Sequence, residues 1–146
     1  MPESEGLMTV DLNPALVYFE VPGPYGVKGS TFAFADKRGK IRTKTDSKHG
    51  KAFAKAVQVA ALEAGVTRTP KGTGVTVSAI YGFERPTRTV GRRDPCVRPD
   101  ADKLGRALLD ALTGIAYDDD GQVVALSIRK IYAERMAVRV CVMVEA

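Results

Sequence analysis

Tryptophan is absent from this chain, histidine occurs once and cysteine twice. Each scarcity removes a class of chemistry. His49 alone cannot supply a serine–histidine triad or a histidine-rich zinc site, so most nucleophilic hydrolases and the usual zinc enzymes are excluded. Cys96 and Cys141 form no CxxC pair and lack the density of a secreted disulfide scaffold. Both read as free thiols of a reducing cytoplasm. No apolar run approaches the ~18 residues of a membrane helix. The opening MPESEGLMTV is acidic and poor in apolar residues, unlike a signal peptide. There is no internal repeat, and nothing calls for an organic cofactor.

What is present is ordinary in bulk and uneven in detail. The 146 residues are 45% hydrophobic and 27% charged, which suits one soluble domain with a real core. We expect residues 1–13 to be a flexible tail and 14–146 to form that domain. The net charge is +5, from 22 Lys and Arg against 17 Asp and Glu. Between Asp36 and Lys55 stand eight basic and two acidic residues, so this stretch alone exceeds the charge of the whole chain. A second basic group follows: Arg85, Arg88, Arg92, Arg93 and Arg98. Clustered Lys and Arg of this kind suit a polyanion, most often nucleic acid, or else a solvated surface. Lys28, Lys40, Arg42, Lys44 and Lys103 join the candidate DNA contacts.

Periodicity gives the elements. ALVYFEVPG reads as a strand and FAFADKRGKIRTK as a hairpin turning at Asp36–Gly39. SKHGKAFAKAVQVAALEAG reads as a helix capped by Ser47 and closed by Gly65. GVTVSAIYGF alternates as a strand. ERPTRTVGRRDPCV reads as a loop that moves when no ligand is bound. Leu104, Ala107, Leu108, Ala111 and Leu112 form one apolar stripe on a helix from Asp102 to Thr113, ended by Gly114. VVALSIRKIY and AVRVCVMVEA look like an antiparallel pair joined by AERMA. The expected class is α+β: a small mixed β-sheet with two main helices covering one face. Tyr81, Tyr117 and the phenylalanines are assigned to the core.

The acidic residues concentrate in RPDADKLGRALLDALTGIAYDDDGQ. An aspartate before a helix is a common cap, favoured by the positive end of the helix dipole. That covers Asp100 or Asp102 but leaves Asp118, Asp119 and Asp120, of which at least one needs a counterion. A tight connection from helix to strand is expected to bring Asp100, Asp102 and one of the triple to the same edge of the sheet. Converging carboxylates without His or Cys describe a site for a hard cation such as Mg²⁺. The calcium-loop pattern fails: from Asp100, a required ligand falls on Leu104 and the closing glutamate on Ala111. A solvated acidic turn is the plain alternative for DDDG.

The motif Pro99-Asp100-x-Asp102, then Asp110-x-Leu112-x-Gly114, then Asp119-Asp120-x-Gln122 resembles that of the RusA family of Holliday-junction resolvases. The resemblance extends from about Val17 to Val144. It implies a RusA-like fold and a small homodimeric, Mg²⁺-dependent endonuclease, with Mn²⁺ as a substitute, of a kind often encoded by phages and prophages. It implies that Asp100, Asp102 and Asp120 are catalytic metal ligands, with Asp119 beside them. Two positions depart from the family pattern: Lys103 stands for its asparagine and Arg106 for its lysine. Arg106 lies one turn from Asp102 and keeps the positive charge, but it is a poor proton donor. A two-fold dimer would give a four-way junction its two symmetric cuts. Two other readings compete: a nucleic-acid-binding protein that does not cut, and a metal-dependent hydrolase of smaller phosphoesters.

Overall fold

The structure is a computed structural model that describes residues 16–27, 31–45, 49–87 and 91–145. The expected tail, Lys28, Ser47 and Arg88 lie outside the described residues. Eight main elements follow in order: β1 (Leu16–Pro22), β2 (Thr31–Ala35), β3 (Ile41–Thr45), α1 (Gly50–Glu63), β4 (Val75–Phe83), α2 (Ala101–Leu112), β5 (Val123–Tyr132) and β6 (Ala137–Val144). A short 3₁₀ turn, Asp120–Gln122, precedes β5. The class is α+β, as expected. Among the described residues, no helix is long and apolar enough to cross a membrane.

The main sheet has the order β1-β6-β4-β5, while β2 and β3 form a separate hairpin. β4 and β5 run parallel, and β6 runs antiparallel to both β4 and β1. Hydrophobic rows cross the sheet in register, for example Phe19–Val140–Ala79–Ile128. One sheet face meets the helices. Phe53, Val57 and Ala61 of α1 are buried there, with Leu104, Leu108, Ala111 and Leu112 of α2. Each fully buried leucine contributes about 1.5–3 kcal/mol. Gly105 lets α2 sit close to β5: a Cβ there would lie 3.2 Å from Ile128 Cγ1. Tyr81 and Tyr117 are fully buried, as expected, and both donate to α2 carbonyls, at Leu104 (3.3 Å) and Leu109 (2.7 Å). Burial pushes both phenols well above their usual range.

One expectation is overturned. β5 and β6 are not a hairpin, because β4 lies between them. The connection after β5 crosses the end of β4 and delivers β6 to its other side. Gly82 makes this passage possible. A Cβ there would come 3.0 Å from Ala133 Cβ and 3.1 Å from the Arg135 carbonyl. The crossing is fastened by Ala133 N–H to Phe83 O (2.9 Å) and Gly23 N–H to Met136 O (2.8 Å).

Helix ends also differ in detail. The N-cap of α1 is His49, which makes no side-chain capping bond. Gly65 does adopt a positive φ of 96° just past that helix, as a C-terminal glycine should.

Candidate metal and nucleic-acid site

α2 is the middle of a β4–α2–β5 unit and runs antiparallel to both of its strands. Its twelve residues make a rod about 18 Å long. Asp100 is its N-cap, in extended conformation and without a side-chain capping bond. Asp102 lies in the first turn, and both aspartates are exposed. Arg106, also exposed, follows Asp102 by one turn on the same face. Lys103 is half-buried. This end of α2 carries the positive pole of the helix dipole, which favours carboxylates and phosphates.

The segment leading into Asp100 is clamped by a residue that sequence reasoning did not single out. Lys130 Nζ donates to the carbonyls of Val97 (2.7 Å) and Pro99 (2.8 Å). In register, Lys130 lies beside Tyr81 of β4. A lysine in a strand carries no local signal of this role, which appears only when β5 lies next to the loop. Around the clamp, Arg93 and Arg98 are exposed and Arg92 is half-buried. Arg85 donates to the Arg92 carbonyl, and its guanidinium lies 4.3 Å from the centre of the Tyr132 ring. Lys40 is exposed near the tip of the β2–β3 hairpin. Arg42 and Lys44 belong to β3, but their side chains are outside the described set.

The second acidic group sits at the other end of the unit. Asp118 pairs with Arg68 at 3.2 Å, the counterion that three adjacent carboxylates were expected to need. Asp119 caps the 3₁₀ turn by accepting from the Gly121 N–H at 3.0 Å. That bond comes first among the causes that hold its carboxyl below the usual range, followed by a hydrogen bond with Asp120 and the charge of Lys71. Asp120 is exposed at the first position of the turn. Gln122 fastens the whole turn. Its Oε1 accepts from the N–H groups of Asp118 (2.9 Å) and Asp119 (3.1 Å). Its Nε2 donates to the carbonyls of Thr69, Pro70 and Thr73 at 3.0–3.2 Å.

The expected convergence at one sheet edge therefore does not occur within one chain. The physical reason is the crossover itself: a parallel βαβ unit returns the chain to the starting edge of the sheet, one helix length from Asp100. Asp100 and Asp102 adjoin the end of β5, while Asp118–Asp120 adjoin its beginning. Among the described residues, no three His, Cys, Asp or Glu side chains gather closely enough to hold a metal ion. The donor chemistry at the start of α2 still fits a hard cation, because Mg²⁺ is commonly held by one or two carboxylates, waters and a substrate phosphate.

Comparison with known proteins agrees with this architecture. A stretch of 48 residues is 40% identical to the uncharacterized protein YqaN of Bacillus subtilis (strain 168). It covers 33% of this chain and 34% of that protein, so it spans about a third of the relative's length. The model of the endodeoxyribonuclease RusA family matches residues 24–145. With nearly the whole fold inside that match, the chain belongs to the RusA endodeoxyribonuclease family.

Proposed function

We propose that this protein is a divalent-metal-dependent endodeoxyribonuclease that resolves Holliday junctions and related branched DNA by paired, symmetric phosphodiester cuts. The observation that carries the reading is the exposed Asp100–Asp102 pair at the positive end of α2, beside an arginine-rich loop, in a chain of this family. Asp100 and Asp102 hold the cation, with Mg²⁺ the expected ion and Mn²⁺ a substitute. When bound, such an ion supplies an activated water and stabilises the leaving oxygen. Arg106 offers a fixed positive charge to the scissile phosphate, and its guanidinium stays protonated throughout. Lys40, Arg92, Arg93, Arg98 and Lys103 hold the DNA backbone by charge. Lys130 positions the segment that presents Asp100.

The split between the acidic groups supports a homodimer in which each completes the other's site. Among the described residues β5 is an edge of the sheet, with Val124 (63% exposed) and Leu126 (45%) uncovered on its helix side. Paired antiparallel with its two-fold mate, β5 would bring its acidic beginning to the other chain's basic end, where Lys130, Lys103 and Asp100 lie. Opposite charges would meet twice, and Asp120 would reach the Asp100–Asp102 pair of the second chain. The valine-rich β6 is an interior strand and offers no edge for this contact.

The test mixes two inactive proteins. Asp102→Asn and Asp120→Asn should each fail to nick a labelled four-way junction in Mg²⁺ while still binding it. Refolded together, they should regain nicking, because one of the two composite sites in the mixed dimer is intact. No recovery on mixing, with mixed dimers demonstrated, would remove the composite site. Binding without nicks by the wild type in Mg²⁺ and Mn²⁺ would favour the non-cutting reading, which the structural roles of Asp118 and Asp119 support at their own end. Equal cutting of junction and plain duplex would keep the nuclease and remove the resolvase.

A further inference from the structure

Both helices pack on one face of the main sheet, and the β2–β3 hairpin forms a sheet of its own. The other face of the main sheet is written by the alternate residues of each strand. One row runs Glu20–Arg139–Ile80–Arg129, and the next brings Tyr18 beside Cys141. Tyr18 is 69% exposed, and Ile80 and Met143 are exposed with it. Arg129 and Arg139 are exposed too, and neither makes an ion pair among the described residues. Where the chain crosses from β5 to β6, the face sinks into a hollow of about 270 Å³, with Ile80, Ile131, Arg135 and Arg139 in its walls. An antiparallel sheet can leave one face in water, but parallel strands such as β4 and β5 ordinarily have both faces covered. Apolar side chains rimmed by charge mark such a face as an interaction surface.

We propose that this face is the seat of the chain's own N-terminal segment, residues 1–15. That segment lies outside the described residues and outside the stretch 24–145 that the family matches. The chain itself brings the two together: Ala15 runs into β1 at Leu16, which lies opposite Met143 at a corner of the face. Fifteen residues span up to about 50 Å, while the outer strands of a four-stranded sheet lie about 14 Å apart, so the reach is ample. Charge matches as well. In a chain of net charge +5, residues 1–15 hold Glu3, Glu5 and Asp11 and no lysine or arginine. Leu7, Met8, Val10 and Leu12 stand among these acids. The acids meet Arg129 and Arg139, and the apolar side chains cover Tyr18, Ile80 and Met143. Attachment to β1 favours this occupant over a separate molecule, because a short tether holds it at a millimolar local concentration. A DNA backbone suits the face less, since Glu20 and Glu134 interrupt its arginines. No residue of this face belongs to the cutting site assigned to Asp100 and Asp102.

Cys141 lies within the face, between Tyr18 and Ser78, and is half-buried, so its thiol reports on the cover. Cys96→Ser leaves it as the one thiol in the chain. In that protein the rate of maleimide labelling is measured with and without residues 1–13, and circular dichroism checks the fold. Deletion should speed labelling about tenfold, equivalent to a cover held by about 1.4 kcal/mol. Leu7→Asp combined with Val10→Asp should do the same in the undeleted chain while leaving every described element intact. Arg129→Glu completes a cycle: it should speed labelling of the undeleted chain and leave the deleted one unchanged. Equal rates with and without the segment would overturn the proposal, as would equal acceleration by Arg129→Glu in both backgrounds. Labelling that slows as protein concentration rises, alike in both chains, would give the face to a second copy and overturn it too. None of these readouts involves DNA cutting, so a failed nuclease assay leaves them standing.

Discussion

At the start of α2, Asp100 caps without a side-chain bond and stands exposed with Asp102, one turn before Arg106. At the other end of the same unit, Asp118 is paired with Arg68 and Asp119 is bonded into its turn. Gln122 then pins that turn to the loop before β4. Both ends are rich in aspartate, and both belong to one family motif. The first end leaves both of its carboxylates exposed. The second spends two of its three on local architecture and leaves Asp120 at the surface. Residue type and spacing alone do not separate an exposed carboxylate from a turn anchor; the hydrogen bonds around each do.

The contrast can be broken most strongly at the first end. Asp102→Asn should lower junction nicking by about 100-fold or more, the scale of charge stabilisation by a bound metal, with binding and thermal stability kept. A variant that melts early would mean that Asp102 belongs to the architecture instead. At the second end, Gln122→Ala should cost about 2 kcal/mol of stability, seen as a melting point lowered by about 4–8 °C, because five polar groups lose a hydrogen bond and only the Pro70 carbonyl keeps another, from the Thr73 N–H. Lys130→Met comes next. It should slow nicking by about tenfold with little change in junction affinity, because a loosened segment misplaces Asp100 rather than removing it.

The smallest effect concerns Asp119. Its carboxyl titrates lower in the folded chain than when unfolded, so its contribution is present above the unfolded carboxylate range. That contribution is lost as pH falls through the folded value. The stability difference between wild type and Asp119→Ala should therefore be level near neutrality and shrink in acid, as measured by urea denaturation across pH.

Much of the fold was legible in the chain. The apolar stripe of α2 predicted Asp102–Thr113 against Ala101–Leu112 observed, and Gly114 ends it with a φ of 86°. The alternation in β4 placed Val75, Val77, Ala79 and Tyr81 on the buried face. These are local patterns written in periods of 3.6 and two. What escaped was pairing at a distance. Two strands joined by a short link read as a hairpin, and only the pairing of β4 with both of them reveals that the link steps over it. The acidic motif divides in the same way. Its aspartates are plain in the chain, but their distribution to two ends depends on the direction of β5, which no periodicity encodes. The Lys130 clamp and the Arg68 counterion carry no local signature and exist only once the sheet is assembled.

The central position of β6 shapes how the protein is made. Leu16 lies opposite Met143, so the first and last described strands are neighbours. A ribosome releasing this chain exposes β1 and β4 long before the strand that belongs between them has emerged. Closure of the sheet must await synthesis of nearly everything else, which implies slow, late and cooperative assembly. Trimming the chain after Tyr132 would remove the sheet's keystone rather than its rim, leaving two valine-lined edges with nothing to join them.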